Sequence, residues 1–220
     1  LSHPTKARAA LSATPRAVAV CVVTLVVGAV LLHVSLTSEP GRGGFYPASV
    51  ALAVTWAGGA FLAGGVPLDR STYADRRTWL PGLALGACLV ALFSLGGLIV
   101  GLVPAINGAI RDVLEYSTRG SFLAVLLIAI GTGACEELFF RGALFSLLQD
   151  RHPVVATTAI YTLVTCATGN VMLVFAAALL GALTARQRQV TGSVLAPILT
   201  HGLWSLGMVL ILPHVLEVTS

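Results

Sequence analysis

Apolar residues fill this chain in long blocks, broken at intervals by small groups of polar and charged residues. A helix needs about 20 apolar residues to cross about 30 Å of hydrocarbon. The blocks predict seven such spans, at about 17–37, 46–68, 79–104, 121–148, 153–168, 170–186 and 193–213. The fifth and sixth are short and separated only by the Gly169-Asn170 turn, which predicts a tight hairpin or a partly re-entrant pair. Between Pro104 and Gly120 a mixed stretch holds Arg111, Asp112, Glu115 and Arg119, and reads as a loop with a short interfacial helix. The expected fold class is all-α: one polytopic membrane helical bundle of about seven transmembrane helices. It divides into an N-terminal tail over 1–16, expected to be cytoplasmic, a first group of transmembrane helices over 17–119, and a core over 120–220.

Composition supports the bilayer as solvent. The chain is 56% hydrophobic and 10% charged, where a soluble domain carries about 25% charged residues. In a soluble protein the net charge of +4 would suggest nucleic acid. Here the basic residues lie between apolar runs, so a lipid bilayer is the expected partner and nucleic acid is not. With the N-terminus inside, nine basic residues fall in cytoplasmic loops: Lys6, Arg8, Arg16, Arg70, Arg76, Arg77, Arg151, Arg186 and Arg188. Arg42, Arg111 and Arg119 fall outside, so the positive-inside rule is obeyed and the C-terminus is expected outside. The expected location is the cell membrane, multi-pass. The basic stretch before Ala17 also fits a signal peptide. The run from Ala17 to about Leu36 is long enough to span, and no clear small-x-small cleavage site follows, so a retained first helix is expected. The abundance of Arg, Ala, Gly and Val suggests a bacterial source with a GC-rich genome. Cys21, Cys88, Cys135 and Cys166 lie in apolar runs without CxxC spacing and read as small hydrophobes. Gly82-x-x-x-Gly86 and Gly97-x-x-x-Gly101 have the spacing of close helix crossings.

Chemistry concentrates in Gly133-Ala-Cys-Glu-Glu-Leu-Phe-Phe-Arg-Gly142. Each charge at mid-membrane costs roughly 2.5–3.5 kcal/mol on insertion scales, so such residues face a protein interior or a wet cavity. Glu137 and Arg141 are four apart and can meet on one helix face. Glu136 points about 100° away, which leaves it without that cation and suits it to general-base work. The competing reading is a structural ion pair that pins packing, though a second Glu is unnecessary for that. His201 lies in the apolar segment Ser193-Val-Leu-Ala-Pro-Ile-Leu-Thr-His-Gly-Leu-Trp-Ser205, with Ser205 one turn on. Alone, a buried His is more often a hydrogen-bonded core residue; with a Glu pair in the same membrane it becomes a site candidate. A third polar group, Tyr161-Thr-Leu-Val-Thr-Cys-Ala-Thr-Gly-Asn170, holds threonines that can bond back to their own helix. Thr165, Cys166 and Asn170 are candidates to line a cavity.

Glu136-Glu137-x-x-x-Arg141-Gly142 resembles the first motif of the membrane CAAX-protease and bacteriocin-processing (CPBP, or Abi) family, which includes prenyl-protein endopeptidases. Gly192-Ser-Val-Leu-Ala-Pro-x-x-x-His201 resembles its last motif. The likeness covers about residues 120–213 and marks the core over 120–220 as the family's catalytic helices. It implies an intramembrane glutamate-dependent hydrolase in which Glu136 and a His activate water and Glu137 pairs with Arg141. His201 falls on the family's last histidine. Two positions depart from the pattern. The family's Phe-x-x-x-His is best matched by Tyr161-x-x-x-Thr165, and its final Asn or Asp by Ser205. The resemblance implies a divalent metal, zinc. A catalytic zinc takes about three protein ligands, and only Glu136 and His201 are plain candidates unless Cys166 or Glu137 joins, so ligand count argues against tight binding. Glu136 and His201 acting on water, with Thr165 and Ser205 as oxyanion donors, then form the expected machinery, and the two side chains are expected to approach within about a hydrogen bond or one bridging water.

Three readings stand. The first is an intramembrane endopeptidase that cuts a membrane-associated peptide or protein. The second, motivated by the missing histidine, is a catalytically reduced member that binds a membrane protein as an immunity or regulatory subunit. The third is a small transporter with Glu136 as a proton site, against which no inverted repeat is visible.

Overall fold

A computed structural model describes residues 14–39, 44–64, 76–100, 108, 110, 112, 115 and 121–217. Among them the chain is helical, with no strand. The helices are α1 (Pro15–Thr37), α2 (Phe45–Leu62), α3 (Arg76–Val100), α4 (Phe122–Glu137), α5 (Pro153–Thr165), α6 (Val171–Thr191), α7 (Leu195–Leu210) and a short α8 (Leu212–Glu217). α4 runs on through a π-helical segment, Leu138–Leu144, and a last turn, Phe145–Leu147. Five of these are long and apolar enough to cross a membrane; α5 with its 3-10 extension, and α7, are shorter apolar helices. The fold is an all-α membrane helical bundle.

The ends of the helices follow from local chemistry. Thr14 caps α1, accepting from the Ala17 N–H at 3.2 Å, and Pro15 occupies the first turn, where its missing N–H costs nothing. α5 closes in a 3-10 turn at Gly169, whose φ of 69° is the left-handed conformation that glycine accepts without strain. Asn170 then caps α6, its Oδ1 accepting from Met172 N–H and Leu173 N–H at 2.9 and 3.2 Å. The predicted hairpin of the fifth and sixth spans is therefore two helices joined by a capped turn. The second span is shorter than predicted, ending at Leu62, and residues 65–75 lie outside the described region. Of the predicted interfacial stretch, Gly108, Ile110, Asp112 and Glu115 are helical and the rest lies outside the described residues.

The surface is apolar and the inside is partly polar, the reverse of a soluble protein. Val23, Ile99, Leu127, Leu163 and Val190 are each at least 60% exposed, while Glu137, Arg141, Thr157, Thr184 and Thr200 are fully buried. Lipid offers little drive to bring apolar helices together, so close packing and internal hydrogen bonds must do it. The Gly82-x-x-x-Gly86 spacing serves that end. A Cβ on Gly82 would lie 2.8 Å from the Ala196 carbonyl oxygen, and one on Gly86 3.0 Å from Leu203 Cβ, so α3 and α7 cross with backbones nearly touching. Thr200 bonds across this crossing to the Gly82 carbonyl at 2.9 Å. Gly97 packs against Leu212, and Gly101 lies outside the described residues. On the other side, Trp56 of α2 stacks on Phe139 and Phe140 at 5.2 and 5.1 Å, and Phe140 meets Tyr161 of α5 at 4.8 Å.

Successive helices alternate in direction, and cross-links fix which ends coincide. The start of α3 meets the end of α6 where Gln187 Nε2 donates to the Pro81 carbonyl at 3.2 Å. At the opposite end His33 meets the Ala167 carbonyl at 2.8 Å, and the Ser121 N–H donates to the Tyr46 hydroxyl at 2.9 Å. Arg16, Arg76, Arg77, Arg151 and Arg186 thus gather at one end of the bundle, called the basic end below.

Candidate functional site

Gly133 organises the site. A Cβ there would lie 2.9 Å from His201 Cδ2, so the imidazole of α7 rests directly on the α4 backbone. Residues three and four further on share that face. They are Glu136 and Glu137, and the ring is delivered between two carboxylates. His201 Nδ1 lies 2.9 Å from Glu137 Oε1. Arg141 donates to the same oxygen from one guanidinium nitrogen at 3.1 Å and to the Gly181 carbonyl of α6 from another, also at 3.1 Å. Its guanidinium lies over the Tyr161 ring at 4.9 Å, a cation–π geometry. Glu137 and Arg141 are fully buried, and among the described residues Glu137 Oε2 and Arg141 Nε have no hydrogen-bond partner. Glu136 has a different neighbour: the Tyr161 hydroxyl donates to its Oε2 at 2.7 Å.

The predicted Glu137–Arg141 contact is present. Of the two side chains expected to approach each other, His201 hydrogen-bonds Glu137 and Glu136 hydrogen-bonds Tyr161. Both Glu136 and His201 nevertheless line one cavity, together with Ser205. Thr165, expected as an oxyanion donor, is turned the other way: its hydroxyl donates to the Tyr161 carbonyl at 2.9 Å, one turn back in its own helix. Cys166 likewise bonds back to the Thr162 carbonyl at 3.3 Å, and Asn170 is a helix cap. None of these three lines the cavity. Sequence reasoning used Tyr161 only as a motif landmark and missed its hydroxyl. The available signal was that a tyrosine stands where the resembled motif has phenylalanine, adding one polar atom at the depth of Glu136.

The cavity has a volume of about 240 Å³ and runs from Glu136 and His201 past Thr132 to Leu36 and Phe45. Among the described residues no three His, Cys, Asp or Glu side chains are grouped to hold a metal. Glu137 Oε1 is taken by Arg141 and His201, and Glu136 Oε2 by Tyr161. No step below is routed through a metal.

Behind the site a second layer holds α4 in place. Arg188 of α6 donates from Nε to the Arg141 carbonyl at 2.9 Å and lies over the Phe145 ring at 5.6 Å. Thr200, one residue before His201, bonds Gln187 Oε1 at 2.9 Å, which fixes the start of α7 against α6.

No curated protein and no solved structure matches the chain. One family model does, over residues 118–207, a segment containing Glu136, Glu137, Arg141, Tyr161, Thr165, His201 and Ser205. Its description is Type II CAAX prenyl endopeptidase Rce1-like, and the family suspected from the Glu-Glu-x-x-x-Arg and Ala-Pro-x-x-x-His segments is the one that this site-bearing part of the chain matches.

Proposed function

We propose that this protein is an intramembrane endopeptidase, multi-pass in the cell membrane, that hydrolyses a membrane-associated peptide or protein with Glu136 as general base. One observation carries the reading. Of two adjacent buried carboxylates, Glu137 takes both Arg141 and His201, while Glu136 has only a tyrosine hydroxyl and faces the cavity. A carboxylate held without a cation beside an accessible space is placed to accept a proton.

The chemistry follows from the neighbours. Water in the cavity gives a proton to Glu136 as its oxygen bonds to the scissile carbonyl carbon. The carbonyl π electrons move onto oxygen, and the Ser205 hydroxyl, which lines the same cavity, donates to that oxyanion, while the Tyr161 hydroxyl orients Glu136. The C–N bond then breaks, and the departing amine takes the proton back from Glu136. Glu137 holds the Nδ1–H of His201, which presents the Nε2 lone pair to the attacking water. Arg141 holds Glu137 in place.

The test is cleavage by the purified full chain in proteoliposomes, offered a library of membrane-anchored peptides and read by mass spectrometry. Wild type is expected to generate new termini, and Glu136→Gln to slow them by about 10²–10⁴-fold, the usual contribution of a general base. The inward turn of the Thr165 hydroxyl favours a second reading, a non-cleaving member that binds a membrane protein. Equal peptide capture by wild type and Glu136→Gln with no cleavage by either selects that reading.

A further inference from the structure

Among the described residues, the site is walled differently towards the two ends of the bundle. Towards the basic end it is closed. Phe139, Phe140, Arg141, Ala143 and Trp56 are each at most 1% exposed, and the Trp56–Phe139–Phe140–Tyr161 ring cluster fills the space below Glu137. Towards the other end it is hollow. The cavity that begins at Glu136 and His201 is walled further out by the C-terminal part of α1, the N-terminal parts of α2 and α4, and the C-terminal part of α7. Those four helix ends are the ones remote from Arg16, Arg76, Arg77, Arg151 and Arg186.

The lining also has a chemical character. It is mostly aliphatic, apart from Phe45, Glu136, His201 and a track of hydroxyl oxygens: Ser205 and Thr132 near the carboxylate, then Ser49 and Ser35, which bond each other at 2.7 Å while Ser49 donates to the Phe45 carbonyl at 2.8 Å. An extended peptide with apolar side chains matches such a channel, with its backbone amides against the hydroxyls. Beyond Glu136 and His201, a charged side chain would meet no counter-charge in this lining. By the positive-inside rule the basic end is cytoplasmic.

We propose that Glu136 is reached from the extracytoplasmic face, so that the substrate is an apolar, extended segment lying on that side of the membrane. As a statement about substrate this rests on the hydrolytic reading above. As a statement about access it stands apart, and its test needs no turnover.

Single cysteines are placed by Thr132→Cys, beside the site, and Ala129→Cys, one turn further out, in the full chain. Thr37→Cys and Gln189→Cys mark the two bundle ends. Sealed right-side-out and inside-out vesicles of the expressing cell are treated with a membrane-impermeant methanethiosulfonate, and adducts are located by peptide mass spectrometry. Expected is labelling of positions 132, 129 and 37 in right-side-out vesicles, with loss of all three in inside-out vesicles, where Gln189→Cys alone is labelled. Labelling of 132 or 129 only from the cytoplasmic side overturns the proposal. So does protection of both from both sides while the end markers react, or reversal of the markers themselves. Cleavage failure with the expected labelling pattern would sink the protease reading and leave the access inference intact.

Discussion

Removing the Arg141 guanidinium should be the most destabilising single change at the site. Arg141 and Glu137 are both fully buried, 3.1 Å apart. Arg141→Ala strands the Glu137 carboxylate, and one oxygen of that carboxylate already has no partner. Breaking a buried pair from one side costs about 3–5 kcal/mol. The Gly181 carbonyl also loses its side-chain donor. At about 2–4 °C per kcal/mol for a chain of this size, Tm should fall by about 6–20 °C. Arg141→Lys keeps the charge but not the fork that reaches Glu137 and Gly181 together, so it should fall between alanine and wild type. Adding Glu137→Gln to Arg141→Ala removes the stranded charge and should recover part of the loss. The assay is thermal unfolding of each purified variant in one detergent, followed by monodisperse elution. A Tm for Arg141→Ala within about 2 °C of wild type, less than 1 kcal/mol on this scale, would show that the pair does not hold the bundle. Additive losses in the double variant would show that the two side chains are not coupled.

Three further outcomes follow. Gly133→Ala places a Cβ 2.9 Å from His201 Cδ2; it should cost about 1–3 kcal/mol of stability as an overpacked contact and depress peptide cleavage, read by the same unfolding and mass-spectrometric assays. Tyr161→Phe removes the hydroxyl bonded to Glu136; cleavage should slow while peptide capture stays unchanged, and an unchanged rate would remove Tyr161 from the mechanism. A reporter enzyme fused after Ser220 should be active outside the cytoplasm, and a cytoplasmic signal would mean an even number of crossings.

Much of the bundle was legible because lipid makes simple demands. A run must be long enough to cross, and a charge within it must face inward. Glu137 with Arg141 could be read from i,i+4 spacing alone. The partner of His201 could not, since Glu136 and Glu137 both lie one turn beyond Gly133, on which the ring rests. The Tyr161 hydroxyl was hidden for a related reason: an aromatic residue on an apolar helix reads as packing until a neighbouring helix brings an acceptor to its tip. Thr165, Cys166 and Asn170 looked like a polar lining, yet Thr165 and Cys166 satisfy carbonyls of their own helix and Asn170 the first amides of the next. Sequence showed that these groups were polar, but not that their own backbone would claim them.

The π-helical stretch Leu138–Leu144 has a consequence for how this chain is aligned with any relative. There the Phe145 N–H reaches back five residues to the Phe140 carbonyl. Within this stretch the Arg141 carbonyl accepts the Arg188 Nε–H at 2.9 Å. The segment acts as one inserted residue that rotates everything after it by about 100° relative to an uninterrupted helix. A homologue lacking that residue would keep every motif letter up to Glu137 and still present a different face to α6. Counting letters would score the two as equivalent; a gap placed within 138–144 would keep their helix phases comparable.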